Sequence, residues 1–505
     1  MKSAAYWHLA SVHASGSGLR HTRRSWPLGL ACSLLLSAAA GSCGSKPDDA
    51  GPQPPTTPTA PTGPSRVALW LTTPDPAARF SKSTAVLNFQ AITGQNPTIT
   101  IDTTQTFQTM DGFGYTLTGG SAQLLHRMSA PACAALLQEL FGTEGTGIGV
   151  SYLRISIGAS DLDERVFTYD DPPGGQPDPT LAQFSLAPDR AHLIPVLKEI
   201  LAINPSLKLL GSPWTAPAWM KTNNAYVGGS LRAEYYPVYA QYFVKYLQAM
   251  QAEGIRLDAV TLQNEPLHGG NNPSMLMTAA EQATFIRDNV GPAFRAAGLN
   301  TKIIVYDHNL DRPDYPLSIL QDPQASQYVD GSAFHLYAGS ISAMSTVRNA
   351  FPSKHVYFTE QWTGGPGNFA EDFKWHLSTL IIGAPRNWSR TVLQWNLAAD
   401  PAYNPHTPGG CSTCLGALTL SGDAVTRNSP YYTVAHAAKF VRPGSVRIAS
   451  NEPTNLPNVA FRTPAGQKVL IVLNTGPTTQ AFNIQYRGQV VVSELKSGAA
   501  GTYVW

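Results

Sequence analysis

Between residues 110 and 441 the sequence alternates short apolar runs that favour strands with amphipathic stretches that favour helices. The predicted strands are Gly112–Leu117, Val150–Ile157, Leu207–Ser212, Ala259–Gln263, Lys302–Tyr306, Gly331–Leu336, His355–Thr359 and Thr391–Trp395. Eight successive strand-then-helix units are typical of a (β/α)8 TIM barrel, an α/β fold whose parallel strands close inside a ring of helices. A doubly wound open sheet is the alternative, but the units lack the glycine-rich phosphate loop that often accompanies it.

Strand-like segments with turn residues between them flank the predicted barrel on both sides. Three such segments precede it and six follow it. A β-sandwich side domain built from both ends of the chain accounts for them most simply. The predicted organisation is an export signal at 1–43, a linker at 44–65, N-terminal sandwich strands at 66–109, the catalytic barrel at 110–441 and C-terminal sandwich strands at 442–505.

The first 43 residues have the pattern of an export signal. The stretch Thr22–Trp26 resembles a twin-arginine signal and precedes the apolar run Leu28–Ala40, which is too short to span a bilayer as a mature helix. Cleavage near Ala40 and lipidation of Cys43 in a degenerate lipobox are both open. The Pro/Thr/Gly-rich segment that follows is typical of an extended tether. We therefore expect an exported protein, secreted, periplasmic or tethered to the envelope, with no transmembrane segment in the mature chain.

The charge balance gives no electrostatic reason to propose nucleic acid as a partner. Of 505 residues only 13% are charged, and the formal net charge is +2, so nothing favours nucleic acid as a partner.

Cys411 and Cys414 lie in a Gly/Pro-rich loop without the helix start of a redox motif, which favours a small structural disulfide in an oxidising compartment. Cys133 lies in an apolar helical stretch and is expected to be a buried thiol.

Two glutamates follow strands on opposite sides of the predicted barrel. Glu265 follows the fourth strand within Asn-Glu-Pro, and Glu360 follows the seventh within Thr-Glu-Gln-Trp. Active sites of TIM barrels lie at the carboxyl ends of the strands, so the two carboxyl groups can face each other over a substrate. A facing pair of this kind suits a retaining glycosidase, with one group as nucleophile and the other as acid and base. We expect the negative charge of the nucleophile to raise the pKa of the acid.

Longer motifs around these glutamates resemble glycoside hydrolase family 30, the family of glucosylceramidases and endo-β-1,6-glucanases. The Thr261–Pro266 and Phe358–Glu360 segments are similar to its acid/base and nucleophile motifs. Further similar segments, in the same order along the chain, are Phe107–Gly114, Tyr152–Asp161, Ser212–Asn223 and Phe440–Gly444.

The resemblance implies a barrel with a β-sandwich, a retaining mechanism, and no metal or organic cofactor. It implies Glu265 as acid/base and Glu360 as nucleophile. It also suggests substrate-binding residues. Asp161 and Trp214 would line the pocket for the terminal sugar, Asn264 would bind the 2-hydroxyl, Trp395 would form the floor, and His335 and Tyr337 would lie near the nucleophile. Arg154, within the second strand, is expected to pair with a carboxylate such as Glu360.

The expected reaction is hydrolysis of a β-linked glucoside through a covalent glycosyl-enzyme, with a glucosylceramide-type glucoside or a β-1,6-glucan as substrate. Exo and endo action are not separated. The loop Asp400–Ser412 is expected to shape the rim that receives the aglycone or further sugars. Two alternatives are a carbohydrate-binding lipoprotein without turnover, disfavoured because both glutamates are present, and a transglycosidase that uses the same two glutamates.

Overall fold

The structure is a computed structural model and describes residues 66–91 and 94–505. The predicted export signal, the possible lipid anchor at Cys43 and the linker lie outside the described residues. Among the helices of the described residues, none combines the length and apolar character that crossing a bilayer requires.

The chain enters the fold through strands that belong to the sandwich. These are β1 (Arg66–Thr72), β2 (Ser81–Lys82), β3 (Leu87–Asn88) and β4 (Thr98–Thr109). Beyond the barrel the sandwich is completed by strands from the other end of the chain. They are numbered after those of the barrel: β16 (Val446–Ser450), β17 (Asn458–Arg462), β18 (Lys468–Leu473), β19 (Gln480–Tyr486), β20 (Gln489–Leu495) and β21 (Ala500–Val504). Because β1 pairs with β21 and β4 pairs with both β16 and β19, both ends of the chain share one sheet, as predicted.

Eight parallel strands within residues 94–505 close into the predicted barrel, in the order β10-β11-β12-β5-β6-β7-β8-β9. Their bounds are β5 (Gly112–Thr116), β6 (Tyr152–Ile157), β7 (Lys208–Pro213), β8 (Ala259–Thr261), β9 (Lys302–Leu310), β10 (Val329–Gly339), β11 (His355–Glu360) and β12 (Ser389–Asn396). A small sheet that the sequence did not predict follows β12. It contains β13 (Ala398–Ala399), β14 (Leu418–Ser421) and β15 (Ala424–Arg427).

Helices surround the barrel. They are α1 (Gly119–His126), α2 (Ala130–Phe141), α3 (Ala187–Arg190), α4 (Leu193–Ile203), α5 (Tyr236–Ala252), α6 (Ala279–Phe285), α7 (Gly291–Ala296), α8 (Asp314–Gln321), α9 (Pro323–Ser326), α10 (Ala343–Ala350), α11 (Phe369–His376), α12 (Gly383–Arg386) and α13 (Ser429–Ala438). Segments of π-helix join α6 to α7 and α11 to α12, so each of these pairs continues as one longer helix. His436, in α13, forms hydrogen bonds through both ring nitrogens with the hydroxyl groups of Thr72 and Thr502 in the sandwich. These bonds connect the barrel to the sandwich.

The barrel interior changes from apolar to polar along the strands. A buried apolar layer includes Tyr152, Leu210, Ala259 and Tyr357, together with Ile304, Ala333 and Leu393. Side chains on one face of a strand recur every second residue. Two residues further along β6, β7, β8 and β11 the same inward face therefore carries polar groups, which are Arg154, Ser212, Thr261 and Thr359. At the carboxyl end of the barrel these polar side chains thus form a floor, and the apolar layer lies beneath it.

A register shift in β9 adds a charge to this floor. Tyr306 pairs with Ala333 and His308 with Phe334, so Asp307 is the extra residue between two ladder pairs. Tyr306 and Asp307 have backbone φ angles of 78° and 65°, values that residues other than glycine rarely adopt. The bulge brings the Asp307 carboxylate within bonding distance of the interior Arg154, whereas uninterrupted alternation predicts Tyr306 in the interior.

Candidate active site

A cavity of about 400 Å³ opens at the carboxyl ends of the barrel strands. Seven of the eight predicted catalytic and substrate-binding residues line it: Asp161, Trp214, Asn264, Glu265, Tyr337, Glu360 and Trp395. His335 is the exception. The remaining lining residues are His268, Asn271, His308, Asn309, Trp362, Cys411 and Cys414.

Glu360 is the last residue of β11, and two donors fix its carboxylate. Arg154 Nη1 donates to Oε2 at 2.5 Å, and the Tyr337 hydroxyl donates to Oε1 at 2.8 Å. Arg154 is fully buried, so this charged bond forms away from water. The pairing expected for Arg154 is therefore present, and each carboxylate oxygen of Glu360 has one donor.

Glu265 lies four residues beyond the end of β8, in a turn held by the neighbouring strands. Its backbone N–H donates to the carbonyl of Asp307 at 3.0 Å, and the N–H of Asn264 donates to the carbonyl of Pro213 at 2.7 Å. Glu265 has φ of 46°, in the left-handed region. Main-chain bonds to β7 and β9 thus hold this unfavourable conformation, which is common where function dictates side-chain direction.

The electrostatics of Glu265 differ from the expectation. Burial raises the pKa of this carboxyl, but interactions with His308 and His335 outweigh burial and hold its pKa well below the usual range. The expected rise in the pKa of Glu265 was wrong, because the expectation took account of the neighbouring carboxylate and not of the two imidazoles. In the substrate-free site Glu265 is therefore an anion.

His335 lies behind the cavity wall and contacts both glutamates. Its Nδ1 is 3.2 Å from Glu265 Oε1 and 3.7 Å from Glu360 Oε1, and its Nε2 is 3.1 Å from Asp307 Oδ1. Burial lowers the pKa of this imidazole, but the charge of Glu360 and bonds to Asp307 and Glu265 outweigh it and raise the pKa to about 9. Because His335 is fully buried and does not line the cavity, it acts on the carboxylates and not on a substrate directly.

Asp307 connects these groups from below. Its Oδ2 accepts bonds from Arg154 and Thr261, and its Oδ1 accepts from His335 and Thr359. Burial raises the pKa of Asp307, but the charge of Arg154 and the bonds from His335 and Thr359 hold its pKa far below normal. Asp307 was not among the predicted site residues, although its position directly after a buried strand was a usable signal.

Part of the cavity lining is aromatic. The rings of Trp214 and Trp395 stack with centroids 5.5 Å apart, and the Arg154 guanidinium lies 4.8 Å from the Trp214 ring centre. Asp161 is buried beside them. Burial and the charge of Glu360 raise the pKa of Asp161 to about 7, although the N–H of Cys411 opposes the rise.

The loop that carries the disulfide contacts Asp161. Cys411 and Cys414 are bonded to each other, and the Cys411 N–H donates to Asp161 Oδ2 at 3.3 Å. The N–H of Thr407 donates to the Asp161 carbonyl at 2.9 Å. Both cysteines line the cavity, so the disulfide forms part of its wall. Cys133 is a buried free thiol, as expected.

Asn264 and Asn271 flank Glu265. Asn264 Oδ1 accepts from Arg154 Nη2 at 2.6 Å, which fixes the amide with its nitrogen as the remaining polar group. Asn271 Nδ2 lies 3.5 Å from Glu265 Oε2.

Three comparisons with known proteins agree with this architecture. The family model described as "Glycosyl hydrolase family 30 TIM-barrel domain" matches residues 110–441, and the one described as "Glycosyl hydrolase family 30 beta sandwich domain" matches residues 444–503. An endo-1,6-β-D-glucanase of Neurospora crassa is 36% identical over 432 residues, which are 80% of this chain and 88% of that protein.

The lysosomal acid glucosylceramidase of Mus musculus is 29% identical over 442 residues, 82% of this chain and 84% of that protein. Among solved structures, the endo-β1,6-glucanase BT3312 is 34% identical with a TM-score of 0.81, and the match covers 87% of this chain and 99% of that one. The resemblance noted in the sequence is confirmed, and the chain is an O-glycosyl hydrolase that belongs to glycosyl hydrolase family 30.

Proposed function

We propose that this hydrolase cleaves β-1,6-linked glucan with retention of configuration, with Glu360 as nucleophile and Glu265 as acid and base. The observation that carries this proposal is the joint position of the two carboxylates. Both line one cavity, and each has an oxygen within 4 Å of the same His335 nitrogen, at 3.2 and 3.7 Å. A close carboxylate pair favours a covalent intermediate, since inversion needs room for a water molecule between the two groups.

The surroundings of Glu360 suit a nucleophile. Its oxygens are held by Arg154 and Tyr337, so the carboxylate is oriented and its anionic form faces a buried cation. In the first step one Glu360 oxygen bonds to the anomeric carbon while the glycosidic bond breaks. The departing oxygen takes a proton from Glu265.

The surroundings of Glu265 suit a group that changes its proton twice. In the free enzyme the proton resides on His335, 3.2 Å from Glu265 Oε1, so one transfer along this hydrogen bond prepares the acid. In the second step Glu265 accepts a proton from water, whose oxygen bonds to the anomeric carbon and releases the Glu360 carboxylate. The His335–Glu265 pair thus loses one proton to the leaving group in the first step and regains one from water in the second.

Asp161, Trp214 and Trp395 are the proposed binding groups for the sugar on the nonreducing side of the cleaved bond. The buried Asp161 carboxylate suits sugar hydroxyls, and the two stacked indoles offer apolar surface. The amide nitrogen of Asn264, which has no hydrogen-bond partner among residues 66–91 and 94–505, suits the 2-hydroxyl beside the anomeric carbon, because the amide oxygen is already bonded to Arg154.

Glucan is favoured over a lipid glucoside by the cavity lining and by the relatives. The lining also includes His268, Asn271, Asn309 and Trp362, which are polar and aromatic groups suited to a further sugar. The similar proteins include endo-1,6-β-D-glucanases at 34–36% identity, whereas the glucosylceramidases reach 28–30%.

For the remainder of the chain we propose export through residues 1–43, with Cys43 as a possible lipid-anchor site. We also propose a tether at 44–65, sandwich strands at 66–109 and 442–505, and a catalytic unit at 110–441. Mass spectrometry of the mature N-terminus tests the export proposal, because lipidation leaves a diacylglyceryl-modified cysteine and secretion leaves an unmodified end.

A product profile tests the substrate. The purified protein is incubated separately with pustulan, a linear β-1,6-glucan, and with glucosylceramide in detergent. We expect β-1,6-linked oligosaccharides of mixed length from pustulan at early times, and little glucose from glucosylceramide. Release of glucose from glucosylceramide alone would overturn the substrate proposal and leave the catalytic one intact.

A further inference from the structure

Three side chains of metal-binding type meet beside the proposed acid. An oxygen of Glu265 and a ring nitrogen from each of His308 and His335 lie within 4.8 Å of one another. Glu265 Oε1 is 3.7 Å from His308 Nδ1 and 3.2 Å from His335 Nδ1. A tetrahedral zinc ion with bonds of about 2.0–2.2 Å separates its ligand atoms by about 3.3–3.6 Å, so the cluster is close to that spacing already.

His308 points to a ligand independently of this spacing. Its side chain is 10% exposed, and its Nδ1 is a buried atom without a hydrogen-bond partner among the described residues. Buried polar atoms are almost always satisfied, and leaving one unsatisfied costs about 1–3 kcal/mol. A cation between His308 and Glu265 would satisfy this nitrogen.

His335 has the outer partner that metal-binding histidines usually have. Its Nε2 lies 3.1 Å from Asp307 Oδ1, while Nδ1 faces the cluster. A carboxylate on the far ring nitrogen fixes the ring orientation and makes the near nitrogen a better donor. Asp307 is itself held by Arg154, Thr261 and Thr359, so this support is rigid.

We propose that Glu265, His308 and His335 form an inhibitory site for a zinc-like divalent cation. Two imidazoles and one carboxylate supply three ligands, and the fourth position faces the cavity because Glu265 and His308 line it. The cation takes the place of the proton between His335 and Glu265, and that proton leaves to solvent.

The inhibition rests on the proposed function, since a cation on Glu265 Oε1 removes the acid and base of the reaction. The bound cation has no part in turnover. Imidazole ligands select Zn²⁺ and Cu²⁺, whereas Mg²⁺ and Ca²⁺ prefer oxygen ligands. We therefore expect inhibition by zinc at concentrations where magnesium has no effect, and recovery of activity with a chelator.

Calorimetry tests binding without reference to activity. The chelator-treated full-length protein is titrated with ZnCl₂, and His308→Ala is compared with His268→Ala, which removes a cavity histidine outside the cluster. Loss of a direct ligand should weaken the site by more than about tenfold, which is the lower end of what removing an outer partner costs. His268→Ala should bind as the wild type does. Equal binding by all three proteins would overturn the site.

Anomalous diffraction at the zinc absorption edge provides a readout that does not depend on a variant that folds. A peak between Glu265, His308 and His335 in zinc-soaked crystals is expected, and zinc bound only elsewhere contradicts the proposal. Failure of the proposed function is distinguishable. If zinc binds here and pustulan is still cleaved at the uninhibited rate by the zinc-bound protein, the site stands and Glu265 is not the acid.

Discussion

His335 Nδ1 lies 3.2 Å from Glu265 Oε1, and the opposite ring nitrogen of this fully buried imidazole lies 3.1 Å from Asp307 Oδ1. This relationship explains how one carboxyl can serve as both acid and base. Glu265 is anionic in the free site, as the second step requires, and the proton for the first step is one hydrogen bond away. The protonation state of the His335–Glu265 pair, and not that of Glu265 alone, determines whether Glu265 can act as acid or as base.

The first prediction concerns the leaving group. Glu265→Ala should lower kcat/KM on pustulan by about 10²–10⁴-fold and should lower the glycosylation rate of a 2,4-dinitrophenyl β-glucoside far less, because that leaving group departs without a proton. Steady-state kinetics on both substrates measure the difference. Glu281→Ala, which changes a helix-capping glutamate outside the cavity, is the control. Equal losses on the two substrates would contradict the assignment of Glu265.

The second prediction is a pH dependence of stability. The His335 pKa is raised from 6.5 to about 9 in the folded protein. Its stabilising contribution is therefore complete below pH 6.5 and is lost as the pH rises through about 9. The wild type should unfold at higher urea than His335→Gln at pH 6, and this advantage should shrink by roughly 1–3 kcal/mol at pH 9. A constant difference would show that folding does not raise the pKa of His335.

The third prediction separates buried from exposed ion pairs. Arg154→Met leaves the carboxylates of Asp307 and Glu360 without their buried cation and should cost about 3–5 kcal/mol of unfolding free energy. Arg312→Met breaks an exposed pair with Asp314 and should cost less than about 1 kcal/mol. Urea unfolding of both variants measures this, and similar costs would argue against a charged interior network.

The fourth prediction concerns the disulfide. Replacing both Cys411 and Cys414 by serine should raise KM roughly five- to tenfold, the effect of weakening one hydrogen bond to a charged group, because Asp161 loses the fixed Cys411 N–H. The melting temperature should fall by only a few degrees, since the bond closes a very short loop. In an Asp161→Asn background the same change should have little further effect on KM. A collapse of global stability would instead assign the disulfide to the core.

The barrel was predictable because each strand is short, apolar and followed by a helix-forming stretch. Glu265 and Glu360 were predictable because strand ends in a barrel converge, so two positions far apart in sequence become one site. Asp307 was missed because a bulge in β9 shifts the inward face by one residue, and alternation by itself selects Tyr306. His308 was missed with it.

The position of the loop at residues 400–415 was also not predictable from the sequence. Its contacts with Asp161 are main-chain bonds from Thr407 and Cys411, and such bonds leave no pattern in residue types. The direction of the pKa shift of Glu265 also depended on distances to His308 and His335 that no spacing in the sequence encodes. Long-range geometry, and not local preference, separates the predicted site from the observed one.

The most direct measurement is the configuration of the product formed by Glu360→Ala with azide. An activated aryl β-glucoside is incubated with this variant, which should be inactive alone because its nucleophile is gone. Azide can enter the vacated space and attack the anomeric carbon from that side. The account predicts recovered turnover with an α-glucosyl azide as product. A β-glucosyl azide, formed with retained configuration, would contradict Glu360 as the nucleophile.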